Sequence, residues 1–372
     1  MSLAVVIAGG GTGGHLYPGI AVARELVARV PDALISFAGT ARGIESRVVP
    51  REGFPLDLIR SSGIKGKSLV DRIRGAMLVP ASLIDAWRVV SARHPKLVIG
   101  VGGYSSGPVV LVAVLRNIPT LLLEQNAVPG LTNRLLAPFA RAIGVTFGST
   151  QSFFGSKAFV SGNPVRPEFF TMSRTNPRSV ADAGQQAGGS PVRILVFGGS
   201  QGAHAINVAM VEAAPRLASS GTPLRITHQT GEQDVDLVRS AYRPLERAGF
   251  EVVVEPFIYD MGKQLGESDL IVCRAGATTL AEIAAAGKPA ILIPFPGATD
   301  DHQRKNAEAV AAAGGAEVLL QNGLTGEVLA DTVVALMKEP GRREQMASAT
   351  KRLAKPDAAR VIVDRALELI RA

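Results

Sequence analysis

The chain has 372 residues, 47% of them apolar, 19% charged and 5% aromatic, with a formal net charge of +8. That length and apolar content suffice for at least one large core and suggest two domains. The longest apolar stretches, such as "PVVLVAVL" at 108–115, fall well short of the roughly 18–20 residues that cross a bilayer, so no transmembrane segment is expected. Nor is a secretion signal, because no basic region precedes "LAVVIA" and glycines follow it directly.

In chain order, the first element is the strand "AVVIA" (4–8), which runs into "GGGTGGH" (9–15) and then an amphipathic helix. Short β-branched runs recur at "LISFA" (34–38), "LVIGV" (97–101) and "TLLLE" (120–124), separated by stretches of helix length. Near 163–192 the pattern stops, and "SRTNPRSVADAGQQAGGSP" (173–191) reads as an exposed connection. It resumes with "RILVFG" (193–198), which opens strand, glycine loop and helix just as residues 3–27 do. "LRITHQ", "EVVVE", "LIVC" and "AILIP" follow. Buried strands alternating with helices imply parallel sheets with right-handed crossovers, so each half is a doubly wound α/β unit. The expected domains are 1–163 and 164–356. Pro356 breaks the final helical stretch, and the segment 357–372, apolar at Val361, Ile362, Ala366, Leu369 and Ile370, is expected to pack back on the first domain.

Charge is uneven between the halves. Residues 1–163 hold 17 Lys and Arg against 8 Asp and Glu, a net of +9, whereas residues 164–372 hold 23 against 24, a net of −1. A basic face serves nucleic acid, anionic lipid or phosphorylated substrates, and with so few aromatic residues no stacking platform for nucleic acid is evident. The single cysteine, Cys273, excludes an intramolecular disulfide and a cysteine-rich metal site, and fits a reducing cytoplasm.

The loops carry the chemistry. "GGSQGA" (198–203) follows a strand and opens a helix, so its N–H groups and the helix's positive end converge where a diphosphate can sit, with Ser200 as a further donor. Glycines 9, 11 and 14 fit the dinucleotide fingerprint, but a lone match carries little, and only Glu45 in "SFAGTARGIES" is available to hold a ribose. The phosphate-loop pattern ending in Gly-Lys-Ser/Thr is absent. After "LIVC", Thr278 and Thr279 are placed to cap a helix, and Glu282 either accepts ribose hydroxyls or only complements the helix dipole. Asp300, Asp301, His302, Gln303 and Asn306 in "PFPGATDDHQRKNA" suit sugar hydroxyls, with Asp300 or Asp301 an equally good N-cap.

Eight motifs in order, "GGGTGGHLYPGIAVA", "SSGIKGKS", "GVGGYSSGP", "LEQNAVPGLTNRLLA", "SGNPVR", "GGSQGA", "CRAGATTLAEIAAAGKPAILIPFP" and "DDHQRKNA", make the chain resemble the MurG family of bacterial peptidoglycan glycosyltransferases from about residue 5 to 310. The resemblance implies a GT-B fold, two doubly wound Rossmann-like domains facing across a cleft. It implies an inverting transfer of N-acetylglucosamine from UDP-N-acetylglucosamine to lipid I, undecaprenyl-diphospho-N-acetylmuramoyl-pentapeptide, giving a β-1,4 linkage in lipid II. The donor residues it implies are Ser200, Ile258, Ala277, Thr278, Thr279, Leu280, Ala281, Glu282, Gln303 and Arg166, with Thr12, Gly13, Gly14 and Asn126 from the first domain. His302 stands where other members carry glutamine.

Inverting transfer needs a base for the acceptor hydroxyl and a stabiliser for departing UDP. His15 is the candidate base: near a helix N-terminus its cation is disfavoured, so it stays neutral near pH 7. As a plain turn residue it would instead hydrogen-bond to backbone. Tyr104 and Glu124 are acceptor-side candidates. No cofactor and no metal are required, since helix termini and Arg166 can take the leaving-group charge; the "DVD" at 234–236 reads as the start of a surface helix. Lys65, Lys67, Arg72 and Arg74 beside Ile73, Met77, Leu83, Ile84 and Trp87 suit an anionic membrane surface, and the resemblance favours peripheral attachment at the cytoplasmic face of the inner membrane, where other cell-wall proteins are potential partners. The alternatives are another sugar-nucleotide enzyme of this fold, such as a glycolipid transferase or a UDP-N-acetylglucosamine 2-epimerase, and a non-catalytic nucleotide-sugar-binding subunit.

Overall fold

The structure is a computed structural model that describes residues 2–61, 78–175, 191–199, 201–247 and 250–371. The chain divides into two compact units, Met1–Arg166 with Lys355–Ala372 and Pro167–Ala354. The first holds seven parallel strands: β1 (Ala4–Ala8), β2 (Leu34–Gly39), β3 (Leu56–Leu58), β4 (Leu97–Gly100), β5 (Thr120–Glu124), β6 (Ala142–Val145) and β7 (Ala158–Val160). Their spatial order is β3-β2-β1-β4-β5-β6-β7, with Val5 of β1 opposite Ile35 on one side and Leu97 on the other. Helices α1 (Gly13–Arg29), α2 (Glu45–Arg51), α3 (Val79–Arg93), α4 (Ser106–Leu115) and α5 (Leu131–Leu136) follow strands in this unit.

The apolar run of β1 is continuous because both of its faces are covered. Val5 and Ile7 join the core formed with Leu16, Ile20 and Leu26 of α1, while Val6 and Ala8 join the opposite core with Ala86 and Val90 of α3 and Val109 and Val110 of α4. Successive strand side chains point to opposite faces, so four neighbouring residues serve two cores.

The second unit repeats the plan with six parallel strands, β8 (Val192–Phe197), β9 (Leu224–Gln229), β10 (Glu251–Glu255), β11 (Leu270–Cys273), β12 (Ala290–Leu292) and β13 (Ala316–Val318), ordered β10-β9-β8-β11-β12-β13. Its helices are α6 (Glu168–Thr175), α7 (His204–Ala218), α8 (Val235–Arg247), α9 (Met261–Glu267), α10 (Ala277–Ala286), α11 (His302–Ala312), α12 (Gly326–Lys338) and α13 (Pro340–Arg352). Cys273 is buried in β11, and burial pushes its thiol pKa up.

After α13 the chain breaks at Leu353–Asp357, around Pro356, and α14 (Ala358–Arg371) returns to the first unit. There Ile362, Val363 and Ala366 are fully buried in the core of β1 and α1, with Leu367, Leu369 and Ile370 packed at its margin. Arg29 of α1 pairs with Asp364 across this contact.

One polar cluster lies inside the second unit. His228 on β9 has Nδ1 3.0 Å from the Tyr242 hydroxyl and Nε2 3.0 Å from Asn207 Oδ1. The amide oxygen only accepts, so Nε2–H donates to it and the tyrosine hydroxyl donates to Nδ1. Asn207 Nδ2 in turn donates to the Thr230 carbonyl and to Asp234. Burial lowers the His228 pKa from 6.5 to about 3, with only partial opposition from Asp234.

Two outcomes are expected from this packing. Ile362→Ala lowers the unfolding free energy by about 2–5 kcal/mol, measured by urea denaturation of the full chain. For His228, the unfolded state binds the proton more readily, so stability present above about pH 6.5 is lost as pH falls towards 3, at up to about 1.4 kcal/mol per pH unit. Denaturation at pH 7 and pH 5 should differ by about 2 kcal/mol from this group, and His228→Gln should flatten that dependence; an equal decline in the variant assigns it to other groups.

Candidate active site

The strand order reverses between β1 and β4 in the first unit and between β8 and β11 in the second. At such a point adjacent loops leave towards opposite faces and open a crevice at the carboxyl edge. "GGGTGGH" follows β1 and "GGYSS" follows β4; "GGSQGA" follows β8 and "RAGATT" follows β11.

In the first unit, Thr12 is the N-cap residue of α1, and its hydroxyl stands 3.1 Å from Nδ1 of His15. Gly13, Gly14 and His15 therefore form the helix's first turn. The His15 ring lies over Gly102, where a Cβ would come within 2.7 Å of Cδ2. Tyr104, 37% exposed, lays its ring beside Gly11. Gln125 Nε2 donates to the Val101 carbonyl at 3.0 Å, tying the loop after β5 to the loop after β4. The structure thus gathers Thr12, His15 and Tyr104 at one edge.

Glu124 ends β5 and is buried. Its Oε1 accepts from the Asn126 backbone at 3.0 Å and its side chain at 3.4 Å; its Oε2 accepts from Gly130 N–H at 3.0 Å and Asn133 Nδ2 at 2.8 Å. Burial raises its pKa against the pull of these donors, which favour the charged form. Both oxygens are thus engaged by the chain itself, an arrangement that shapes the loop carrying Asn126. Arg166 places its guanidinium 5.3 Å from the Tyr17 ring centre, on the same helix as His15.

Glu45, the one carboxylate available for a ribose, is fully buried and occupied otherwise. Its Oε2 accepts from Gly11 N–H at 2.8 Å, and its Oε1 accepts from the Thr40 N–H at 2.8 Å and hydroxyl at 2.9 Å. The dinucleotide reading of the first glycine loop fails here, because this carboxylate is turned into the loop.

In the second unit Ser200 lies outside the described residues, as do Lys65, Lys67, Arg72, Arg74, Ile73 and Met77 in the first. The remainder of "GGSQGA" is locked onto the loop after β9: a Cβ on Gly202, whose φ is +77°, would lie 1.8 Å from the Thr230 carbonyl oxygen. Gly276, not Thr278 or Thr279, is the N-cap of α10, and no side chain caps that helix. Both threonines fall inside the first turn, as its second and third residues. Ala277, Thr278 and Leu280 are buried, while Thr279, Ala281 and Glu282 are half-buried, Glu282 in the second turn. Ile258 is half-buried between exposed Phe257 and Tyr259, whose rings meet edge-on at 5.0 Å.

Gln303 accepts from Phe295 N–H through Oε1 at 3.0 Å, which turns its NH2 group away from that contact. His302 Nδ1–H donates to the Thr299 carbonyl at 2.7 Å. Asp301 occupies the N-cap of α11 without a side-chain capping bond, and Asp300 and Asp301 have φ of 56° and 53°. Asn306 is fully buried and donates to the Ala275 carbonyl, so it ties α11 to the loop after β11 instead of facing a sugar. Arg274, overlooked in the sequence, joins that loop to the one after β12: it stacks 5.3 Å over Phe295 and donates to the carbonyls of Ile293 and Pro294. Asp234 of "DVD" pairs with His204 at 3.0 Å and accepts from Asn207, whereas the Asp236 side chain is 94% exposed. Among the described residues no three His, Cys, Asp or Glu side chains converge as a metal site would require.

On α3, Ile84 and Trp87 are each about half exposed and Leu83 is half-buried. Arg116, beside exposed Leu115 at the end of α4, stacks 5.2 Å over the Trp87 ring. No helix among the described residues is long and apolar enough to cross a membrane.

Comparison with known proteins gives this arrangement a family. The glycosyltransferase family 28 N-terminal domain matches residues 5–145, and the family 28 C-terminal domain matches residues 193–362. A protein of Anaeromyxobacter dehalogenans strain 2CP-C, named UDP-N-acetylglucosamine–N-acetylmuramyl-(pentapeptide) pyrophosphoryl-undecaprenol N-acetylglucosamine transferase, is 47% identical over 99% of this chain and 93% of its own. One of the same name from Myxococcus xanthus strain DK1622 is 44% identical over 98% and 93%. The crystal structure of Acinetobacter baumannii MurG superposes with a TM-score of 0.79 at 34% identity, covering 98% of this chain and 99% of that one. The Neisseria meningitidis UDP-GlcNAc 2-epimerase bound to UDP-GlcNAc reaches 0.67 over 99% of this chain and 100% of that one at only 15% identity, a likeness of fold alone. With two Rossmann-like parallel-sheet units of GT-B type and near-full-length similarity to these transferases, the chain belongs to glycosyltransferase family 28 and, within it, to the MurG family.

Proposed function

We propose that the protein transfers N-acetylglucosamine from UDP-N-acetylglucosamine to the muramoyl 4-hydroxyl of lipid I, forming the β-1,4 linkage of lipid II with inversion. The observation that carries this reading is the 47% identity over 99% of the chain to a transferase of that name. The rival readings, an epimerase or a binding subunit, draw no comparable support.

In the mechanism, the acceptor oxygen attacks the sugar's anomeric carbon as the bond to UDP breaks. The proton of the acceptor hydroxyl passes to Nε2 of His15, whose Nδ1–H donates to Thr12. The Thr12 hydroxyl, 3.1 Å away, orients the ring through that bond. The departing UDP carries the negative charge, which the positive ends of α7 and α10 stabilise. Glu282 accepts the ribose hydroxyls, the Ile258 backbone reads the uracil, and the Gln303 NH2 group donates to the sugar. Tyr104 lines the acceptor side, and Glu124 shapes the loop that bears Asn126. The first unit, with net charge +9 over residues 1–163, attaches peripherally to the anionic cytoplasmic leaflet through Ile84, Trp87 and their basic neighbours.

Incubation with UDP-N-acetylglucosamine and a short-chain lipid I analogue should yield the β-1,4 product, equally with chelator present; UDP-N-acetylmannosamine as product would indicate an epimerase. His15→Ala should lower kcat by about 10²–10⁴ while UDP binding, read by calorimetry, stays intact; near-normal turnover would assign the base elsewhere. Binding to anionic vesicles should weaken with salt, and Ile84→Ser with Trp87→Ala should weaken it about tenfold further. Equal binding to neutral vesicles at all salt concentrations would remove the electrostatic part.

A further inference from the structure

Glu45 has no part in the transfer just described, yet three glycines close around its side chain. It is the first residue of α2 and is fully buried. A Cβ on Gly10, Gly39 or Gly43 would come within 2.5, 2.6 and 2.1 Å of its side chain. Three glycines, Gly10 in the loop after β1, Gly39 at the end of β2 and Gly43 in the loop after β2, thus make the space that the carboxylate fills. Its oxygens bind Gly11, in the loop after β1, and Thr40, in the loop after β2. These are charge-assisted bonds inside the protein, where such bonds are strong and an unmet donor is costly.

We propose that Glu45 is a positioning residue for the transfer reaction: it clamps Gly11 and so sets where α1 begins and where His15 points. Gly11 precedes the N-cap Thr12, and His15 is the third residue of the helix, so a shift of the Gly11 amide is passed directly to the imidazole. The inference rests on the reading of His15 as the base.

The test is Glu45→Gln, which keeps the shape but sets an NH2 group against an N–H donor. It should lower kcat ten- to a hundredfold, as displacement of a reacting group does, with KM for UDP-N-acetylglucosamine changed less than twofold. Thr40→Val, which loosens the clamp without touching Gly11, should give a smaller fall in the same parameter. The chain has five histidines, and the His15 imidazole resonance, identified by its loss in His15→Ala, should move in Glu45→Gln while the other four stay. That spectroscopic arm does not depend on turnover. An inactive wild type with a shifted His15 resonance would sink the transferase reading and keep the clamp. Wild-type kcat with an unmoved resonance in Glu45→Gln would overturn the proposal, as would loss of donor binding along with kcat.

Discussion

Everything at the candidate site depends on one constraint, the parallel pairing of a central strand with neighbours that wind in opposite directions. β1 is hydrogen-bonded to β2 on one side and β4 on the other, and β8 likewise to β9 and β11. Right-handed crossovers then send the two sets of helices to opposite faces, and the loops at the reversal part from one another. In the first unit glycine is required there because the loops after β1 and β4 pass so close that a Cβ on Gly9 or Gly103 would lie 2.7 Å from the Gly102 or Gly10 carbonyl oxygen; in the second, the loop after β8 makes the same close approach to the loop after β9 at Gly202. Four of the motifs used for recognition are the four loops at these two reversals. Their sequence character follows from their place in the sheet before any ligand is considered.

Buried polar groups divide the labour of holding these loops. Glu45 joins the loops after β1 and β2, Gln125 those after β4 and β5, and Glu124 closes the loop after β5 onto α5. In the second unit Asn207, Arg274 and Asn306 make the corresponding braces. Each makes at least one hydrogen bond to the chain, so removal of one partner leaves the other unmet. The residues assigned to chemistry, His15, Tyr104, Gln303 and Glu282, are by contrast only partly buried.

What could be read from the sequence follows the same physics. Nine of the strands announce themselves because a strand covered on both faces is a continuous apolar run, as at "AVVIA" and "LIVC". β3, β6, β7 and β13 are as short as β4, β11 and β12, but Asp57 interrupts β3, Glu317 interrupts β13 and β6 contains Gly144, so no run stands out from the flanking helices and turns. The C-terminal break was legible because Pro356 cannot donate to a helix. Site loops were legible as glycine clusters. Their braces were not: Glu45 stands 34 residues from Gly11, and nothing in the spacing of "ARGIES" says that its carboxylate turns back under an earlier loop. Thr278 and Thr279 misled for a related reason, since capping depends on a backbone angle that Gly276 adopts and composition does not show.

The return of α14 has a consequence for the order in which the molecule is built. Unit two is, in topological terms, an insertion whose two ends both join unit one. During synthesis the sheet of the first unit emerges early, but the groove along α1 that receives Ile362, Val363 and Ala366 stays open until residues 358–371 leave the ribosome. The second unit has all of its own strands by then. The later part of the chain is therefore able to fold to completion first, while the part made first waits with apolar surface uncovered, an interval in which chaperone binding or premature aggregation acts on the N-terminal half.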